Sequence, residues 1–254
     1  MKIPCLFGIL LVGFFAQFVD GTLGMGYGVT SATLLIYIGI YPAIASASVH
    51  AAEVVVSLAS GVSHFRLGNV RKDIFWPMTL FGICGGVFGA FGLVSLPIRP
   101  VRLVVGLILL VMGAVIFYRF KVKDHIGFKP DRRYSYGKLS CLGFVGGFFD
   151  AMGGGGWGPI CTPSLIATGT EPRKAIGSVN LAEFFVTVAQ TLAFILLIGY
   201  KKFRWDLVFI LMIAGVIAAP IAAMICNKLP HRTLGLAVGV MVVALSLRII
   251  LKAL

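Results

Sequence analysis

The chain has 254 residues, of which 59% are hydrophobic and only 12% are charged, and its mean hydropathy is +1.00. Soluble domains carry about 25% charged residues, so this chain has too little polar surface to face water on all sides. The composition predicts a polytopic integral membrane protein and excludes a cytosolic enzyme or a secreted disulfide scaffold. The net charge of +13 is expected to lie in cytoplasmic loops rather than at a nucleic-acid site.

The chain opens with an apolar run over residues 3–19, a glycine-rich break over 20–28 and a short apolar run over 29–40. The short run cannot cross a membrane alone, because a spanning helix needs about 20 residues. Longer apolar segments then follow at 43–64, 74–95 and 101–119. After a polar stretch the same order returns, with segments at 138–149, 150–158, 159–169, 172–199, 205–227 and 232–253.

The two series are copies of one unit. Shifted by 130 residues, Gly13–Glu53 aligns with Gly143–Glu183, with 16 identities in 41 positions. We therefore predict a first transmembrane repeat over 1–120, a cytoplasmic link over 121–137 and a second transmembrane repeat over 138–254. Because the copy begins inside the N-terminal apolar run, we expect that run to be kept rather than cleaved as a signal peptide.

The predicted fold is an all-α polytopic membrane protein with two repeats of about four spans each, each opening with a glycine-broken helix pair. If each broken pair crosses the membrane once, the two halves run parallel. If both pieces cross, each half has five spans and the repeat is inverted. The basic residues favour the four-span arrangement by a small margin, and the five-plus-five inverted repeat stays open because transporters use both types.

The repeated break reads Asp20-Gly-Thr-Leu-Gly-Met-Gly-Tyr-Gly28 and Asp150-Ala-Met-Gly-Gly-Gly-Gly-Trp-Gly158. Glycine lets the backbone approach a ligand closely, and a helix that starts after the break presents free N–H groups that bind anions. The alternative is that the glycines permit close helix packing and that the aromatic residues are packed core. The predicted substrate-binding residues are Gly24, Gly26, Tyr27, Gly28, Ser48, His50, Gly154, Gly155, Gly156, Trp157, Ser178 and Asn180.

Four of the nine acidic residues lie in or beside apolar segments: Asp20, Asp150, Glu53 and Glu183. An ionisable group at membrane depth is costly, which favours a functional role, and here we predict proton coupling. The aspartates could instead cap helices, and the glutamates could be hydrogen-bond anchors. His50 and Asn180 precede the glutamates by three residues and so share their helix face. The asymmetric pair His50–Glu53 is one route for the proton.

With these motifs in view, the sequence resembles the sulfite exporter TauE/SafE family of bacterial membrane transporters. The resemblance rests on Gly-x-x-x-x-Phe-x-Asp-x-x-x-Gly-x-Gly-x-Gly from Gly13 to Gly28, on its copy from Gly143 to Gly158, and on the runs that follow Pro42 and Pro172. It implies transport of small sulfur-containing anions across the bacterial cytoplasmic membrane, mostly outward. The first copy departs from the second, because Leu23-Gly-Met-Gly-Tyr replaces the glycine run.

The leading hypothesis is a secondary transporter, acting as an exporter of a small sulfur-containing anion such as sulfite or an organosulfonate and coupled to protons. The sequence contains no ATP-binding P-loop, and we expect no enzymatic activity, cofactor, metal centre or nucleic-acid partner. The expected partners are the anion, protons and the lipid bilayer, with a possible homodimer. The alternative is a cation transporter that uses the four carboxylates as ligands. The sequence leaves open which anion is carried, the stoichiometry and the coupling ion.

Overall fold

The computed structural model describes residues 3–95 and 134–251, together with five single residues between 107 and 118. The predicted segment 101–119 and most of the predicted link 121–137 lie outside the continuous ranges. We call 3–95 the first half and 134–251 the second half. The helices are α1 Ile3–Leu23, α2 Tyr27–Tyr37, α3 Pro42–Arg66, α4 Lys72–Ser95, α5 Tyr136–Gly153, α6 Trp157–Ala167, α7 Pro172–Ile198, α8 Trp205–Lys228 and α9 His231–Leu251, with a 3₁₀ turn at Tyr200–Lys202.

Five of these helices are long and apolar enough to cross a membrane. They are α3, α4, α7, α8 and α9, with candidate spans at Pro42–Arg66, Lys72–Leu93, Pro172–Ile198, Trp205–Lys228 and His231–Arg248. In α1 the apolar stretch is shorter, Phe7–Leu23. The described ranges contain no strand. The all-α polytopic fold predicted from the composition is therefore confirmed, while the number of spans per half stays a prediction.

The helix boundaries follow local sequence signals. Pro42 and Pro172 begin α3 and α7, where the missing N–H of proline costs no helical hydrogen bond. Gly24 and Gly154 follow α1 and α5 with φ values of 74° and 71°, a left-handed conformation that glycine adopts without strain. The helices are thus interrupted at the predicted breaks, because α2 and α6 start three residues after these glycines and four residues after the preceding helices end.

The third helices of the two halves, α3 and α7, pack against each other in opposite directions. Near the end of α3, Ser60 Oγ donates to Asn180 Oδ1 at 2.6 Å, close to the start of α7. Nearer the start of α3, His50 packs on Phe194 toward the end of α7, with ring centroids 5.7 Å apart. This antiparallel pairing is opposite to what halves that run parallel require, and it is the direction expected of the inverted alternative.

The outer helices pair across the two halves. A Cβ on Gly13 of α1 would touch Ala214 of α8, and a Cβ on Gly21 would touch Ala222. Because both contacts advance in the same chain direction, α1 and α8 run parallel. Along α4, Gly85 and Gly89 face the backbone of Phe144 and Phe148 of α5, again in parallel. Small residues allow these close backbone approaches. Each half therefore packs its first helix on the fourth helix of the other half.

The buried apolar residues form two main clusters, each built around one of the aromatic residues that follow the glycine breaks. Trp157 lies with Val179 and Val186 in one cluster, and Tyr27 lies with Val49 and Val56 in the other. Both aromatic side chains are fully buried. The two clusters hold the starts of α2 and α6 in fixed positions, on either side of the pocket described next.

Candidate functional site

A small pocket lies between the two glycine breaks. Its cavity volume is about 10 Å³, roughly the space that one water molecule needs. A large metabolite does not fit in this space. Its lining residues are Asp20, Gly26, Gly28, Val29, Glu53, Asp150, Gly155, Gly158, Pro159 and Glu183.

The two breaks touch backbone to backbone at this pocket. A Cβ added to Gly28 would sit 2.7 Å from the Cα of Gly155, and one added to Gly158 would sit 2.6 Å from the carbonyl oxygen of Gly24. A Cβ on Gly155, where φ is 143°, would overlap the backbone nitrogen of Val29. Glycine is required at these positions for close approach. The glycines therefore do permit close packing, which is the alternative that the sequence left open. The same packing places both breaks at one pocket.

Asp150 caps the start of α6. Its Oδ1 accepts hydrogen bonds from the backbone N–H groups of Gly156 at 2.7 Å and Trp157 at 3.0 Å. Asp20 caps the start of α2 in the same way but with a longer hydrogen bond, since its Oδ1 lies 3.4 Å from the backbone nitrogen of Tyr27. The first amides of both short helices are therefore directed at aspartates. This is the helix-capping role that the sequence left open for the two aspartates.

The next residues of each short helix line the pocket. Gly28 and Val29 are the second and third residues of α2, and Gly158 is the second residue of α6. Residues in the first turn of a helix have no acceptor one turn earlier in that helix. The third residue of α6 is Pro159, which has no N–H to offer. Three of the lining residues therefore have first-turn amides, two from the first half and one from the second.

Both predicted glutamates reach the same pocket, one from each long central helix. Glu53 of α3 is 3% exposed and Glu183 of α7 is 5% exposed. The Oε2 atom of Glu53 is buried without a hydrogen-bond partner among the described residues. With Asp20 and Asp150, four carboxyl groups line this one small pocket.

His50 does not pair with Glu53, its helix neighbour. Its Nε2 lies 3.2 Å from Asp150 Oδ2 in the other half, and Nδ1 lies 2.7 Å from the carbonyl oxygen of Ser46. The ring stays near Glu53 nonetheless, because one ligand-type atom each of His50, Glu53 and Asp150 lie within 4.8 Å of one another. Asn180, its counterpart, bonds instead to Ser60 and to the carbonyl of Ile176.

Several predicted site residues lie away from the pocket lining. Ser48 Oγ accepts the backbone N–H of Arg204 at 3.0 Å, and Ser178 Oγ accepts that of Arg71 at 2.8 Å. Each serine thus ties the start of its helix to a loop of the other half. The remaining residues outside the lining are Gly24, Tyr27, His50, Gly154, Gly156, Trp157 and Asn180, whose role in substrate binding stays a prediction.

Sequence reasoning missed four residues near the site: Val29, Gly158 and Pro159 in the lining, and Gln190 on Asp150. Gly158 had a signal, because it matches Gly28 in the repeat. Gln190 had none, since its partner lies 40 residues earlier in the chain and its counterpart under the repeat is a serine, Ser60.

Apolar spanning helices, interrupted helix starts and a polar pocket enclosed between them define a multi-pass membrane protein. The family model described as "Sulfite exporter TauE/SafE" matches residues 9–249. The chain belongs to this family of membrane transporters. It is 41% identical over 247 residues to "Probable membrane transporter protein YtnM" of Bacillus subtilis (strain 168), covering 95% of this chain and 81% of the relative.

A second relative, "Probable membrane transporter protein" of Haemophilus influenzae, is 40% identical over 57 residues, which is 22% of each chain. No solved structure matches the chain.

Proposed function

We propose that this protein is a secondary transporter that exports a small sulfur-containing anion, such as sulfite or an organosulfonate, across the bacterial cytoplasmic membrane. Transport is coupled to protons, and the substrate is held at the pocket between the two breaks. One observation carries the proposal: amides at the starts of α2 and α6 and four buried carboxyl groups meet at one small space. The family to which the chain belongs supports the substrate class.

The amides supply the attraction for an anion. The N-terminal end of a helix carries about half a positive charge and donor groups that are free to bind an oxyanion. Both short helices contribute their first turn to the lining, through Gly28 after the break in the first half and Gly158 after the break in the second. An oxyanion there is held mainly by backbone, without a lysine or arginine in the pocket lining.

The carboxyl groups supply the coupling. Four ionised carboxylates around a small space would repel an anion, and burying unpaired charges is costly. Protons taken up on the glutamates remove that repulsion and allow the neutral acid to donate a hydrogen bond to the substrate. Glu53 Oε2, buried without a partner among the described residues, is suited to this exchange. The anion and the proton therefore favour each other's binding.

The membrane topology that fits this function is an inverted pair of repeats. Its support is the antiparallel packing of α3 on α7, which turns corresponding helices of the two halves in opposite directions. In inverted-repeat transporters, broken helices from the two repeats meet near the midplane of the bilayer and form the substrate site. The five-plus-five alternative is thus the arrangement we propose, in place of two parallel sets of four spans.

Flux in proteoliposomes tests the proposal. Vesicles loaded with radiolabelled sulfite, and separately with a sulfonate, should release label faster with the protein than without it, and a pH gradient should change the rate. E53Q and E183Q should retain anion flux at their own optimum pH while losing its dependence on the gradient. D73N is the matched control, because Asp73 is an exposed acid at the start of α4. If neither anion moves under either condition, the proposal is wrong.

The same variants test the cation alternative, which the four carboxylates favour. A carboxamide is a much poorer ligand than a carboxylate for a hard cation. If a cation is the substrate, E53Q and E183Q should abolish its flux, and sulfite should have no effect on the protein. Retained sulfite flux in either variant contradicts the cation alternative.

A further inference from the structure

The proton positions on His50 follow from its contacts. Nδ1 lies 2.7 Å from the backbone carbonyl oxygen of Ser46. A carbonyl oxygen can only accept, so Nδ1 carries a hydrogen and donates it. The hydroxyl of Ser46, which is 3.4 Å from Nδ1, has its own acceptor in the carbonyl of Ala151 at 3.1 Å. A neutral His50 would therefore have its lone pair on Nε2.

That nitrogen faces Asp150. Nε2 is 3.2 Å from Oδ2, and a lone pair opposite a carboxylate oxygen would be repulsive. The contact is attractive only if His50 and Asp150 together hold one proton in addition to the hydrogen on Nδ1. Asp150 already accepts two backbone N–H groups on Oδ1, and the side-chain amide of Gln190 donates to Oδ2 at 2.9 Å. This set of donors suits an ionised carboxylate. The geometry thus favours Nε2 of His50 over Asp150 as the carrier of the extra proton.

The other half lacks this pair. Asn180, the counterpart of His50, turns to Ser60 and to the carbonyl of Ile176. The carboxyl group of Asp20, the counterpart of Asp150, has one hydrogen bond among the described residues, the 3.4 Å contact from the N–H of Tyr27. Two sites of matching sequence thus differ by one proton-binding side chain. Of the two corresponding pairs, His50 with Asp150 is in contact, while Asn180 bonds elsewhere than to Asp20.

Other titratable groups surround the pair. Glu53 lies one turn further along the helix of His50, Asp20 comes from α1 and Glu183 from α7, and all three line the pocket together with Asp150. Tyr27 of α2 is buried nearby, and its hydroxyl has no partner among the described residues. The ring of Phe194 covers one side of His50. The titratable neighbours named here are carboxyl and phenol groups, so none of them repels a proton on His50.

We propose that the pair His50–Asp150 holds the proton that couples transport, and that Glu53 exchanges it with the pocket. Protonated, the pair binds α3 to the break between α5 and α6. When Nε2 passes its proton to the carboxylate of Glu53, His50 becomes neutral, Glu53 becomes neutral, and the contact with Asp150 loses its attraction. The break is then free to shift relative to α3. This inference deepens the proposed function by naming the group that carries the coupled proton, and it rests on that function.

Histidine-selective NMR of the purified protein tests the charge directly. With ¹⁵N-labelled histidine, the signal lost in H50N should report an imidazolium at neutral pH. In D150N the same signal should convert to that of a neutral ring. H64N is the matched control, because His64 is also fully buried but donates to the carbonyl of Gly21, outside the pocket. A neutral His50 in the wild-type protein overturns the proposal, whether or not sulfite is transported.

Flux measurements distinguish a role of His50 in proton coupling from a purely structural role. H50N, which gives both halves the same residue, should lower flux driven by a pH gradient about tenfold, while exchange of labelled for unlabelled sulfite without a gradient falls much less. H64N should either lower the gradient-driven flux and the exchange rate by the same factor or leave both unchanged. An unchanged pH profile in H50N contradicts the proposal. If H50N does not fold, H50Q takes its place in both measurements. Absence of any sulfite flux would count against the proposed function alone, because the NMR result does not depend on it.

Discussion

Asp20 and Asp150 occupy matching positions in the two repeats but differ in their surroundings. Asp150 receives two backbone N–H groups, the amide of Gln190 and the ring of His50. Asp20 has one long contact to the N–H of Tyr27. Both are at least 96% buried. The aspartate of the second-half break is thus held by several hydrogen bonds and that of the first-half break by one, which makes the first-half break the easier one to move as long as the pair His50–Asp150 keeps its proton.

Forcing the two breaks apart should have the largest effect on this arrangement. In G155A, a Cβ would overlap the backbone of Val29 at a φ of 143°. Overpacking and backbone strain together should lower the free energy of unfolding by about 4 kcal/mol and abolish flux. Thermal unfolding in detergent measures the loss.

G153A is the control for this change, because a Cβ on Gly153 meets nothing within 4 Å. Its melting temperature should stay close to that of the wild-type protein. Equal stability of the two alanine variants would show that the breaks are not in contact.

The comparison of the aspartates is tested by the pair D150N and D20N. Removing the charge of Asp150 leaves His50 without its partner, and breaking a buried ion pair costs about 3 kcal/mol. D20N loses one weak hydrogen bond, worth about 1 kcal/mol. Thermal melting and exchange flux should therefore fall much more in D150N. An equal loss in both variants would mean that the two breaks are held alike.

The smallest effect concerns contacts that are the same in both halves. S48A and S178A each remove the acceptor of one backbone N–H, that of Arg204 or Arg71. Each should lower the free energy of unfolding by about 1 kcal/mol, and by the same amount. S63A is the control, since its hydroxyl bonds only within its own helix, to Ala59. A large difference between S48A and S178A would show that the asymmetry extends beyond the aspartates.

Local features of the fold could be read from the sequence, because their causes lie within a few residues. Pro42 and Pro172 mark helix starts, and the glycines at 24 and 154 mark helix ends, each for a backbone reason. The matched acids at 53 and 183 were predicted to share a site, and they line one pocket. Duplication made this prediction strong, since two equal segments placed against each other bring equal residues together.

Contacts between the halves could not be read in this way. The sequence placed His50 beside Glu53, since the two lie three residues apart on one helix, but its hydrogen-bond partner is 100 residues away. The serines at 48 and 178 likewise serve loops of the opposite half. Such pairings depend on the relative direction of α3 and α7, and no local pattern in one sequence records that direction.

The pairing of outer helices across the halves decides which parts of the protein can move together. Because α1 packs along α8 and α4 along α5, pulling the first half away from the second as rigid bodies would open both of these close contacts at once. The natural mobile units are instead mixed, with one flank made of α1 and α8, the other of α4 and α5, and α3 with α7 between them. Any rocking motion that opens the pocket to alternate sides of the bilayer would then follow these spatial partners rather than the order of the helices along the chain.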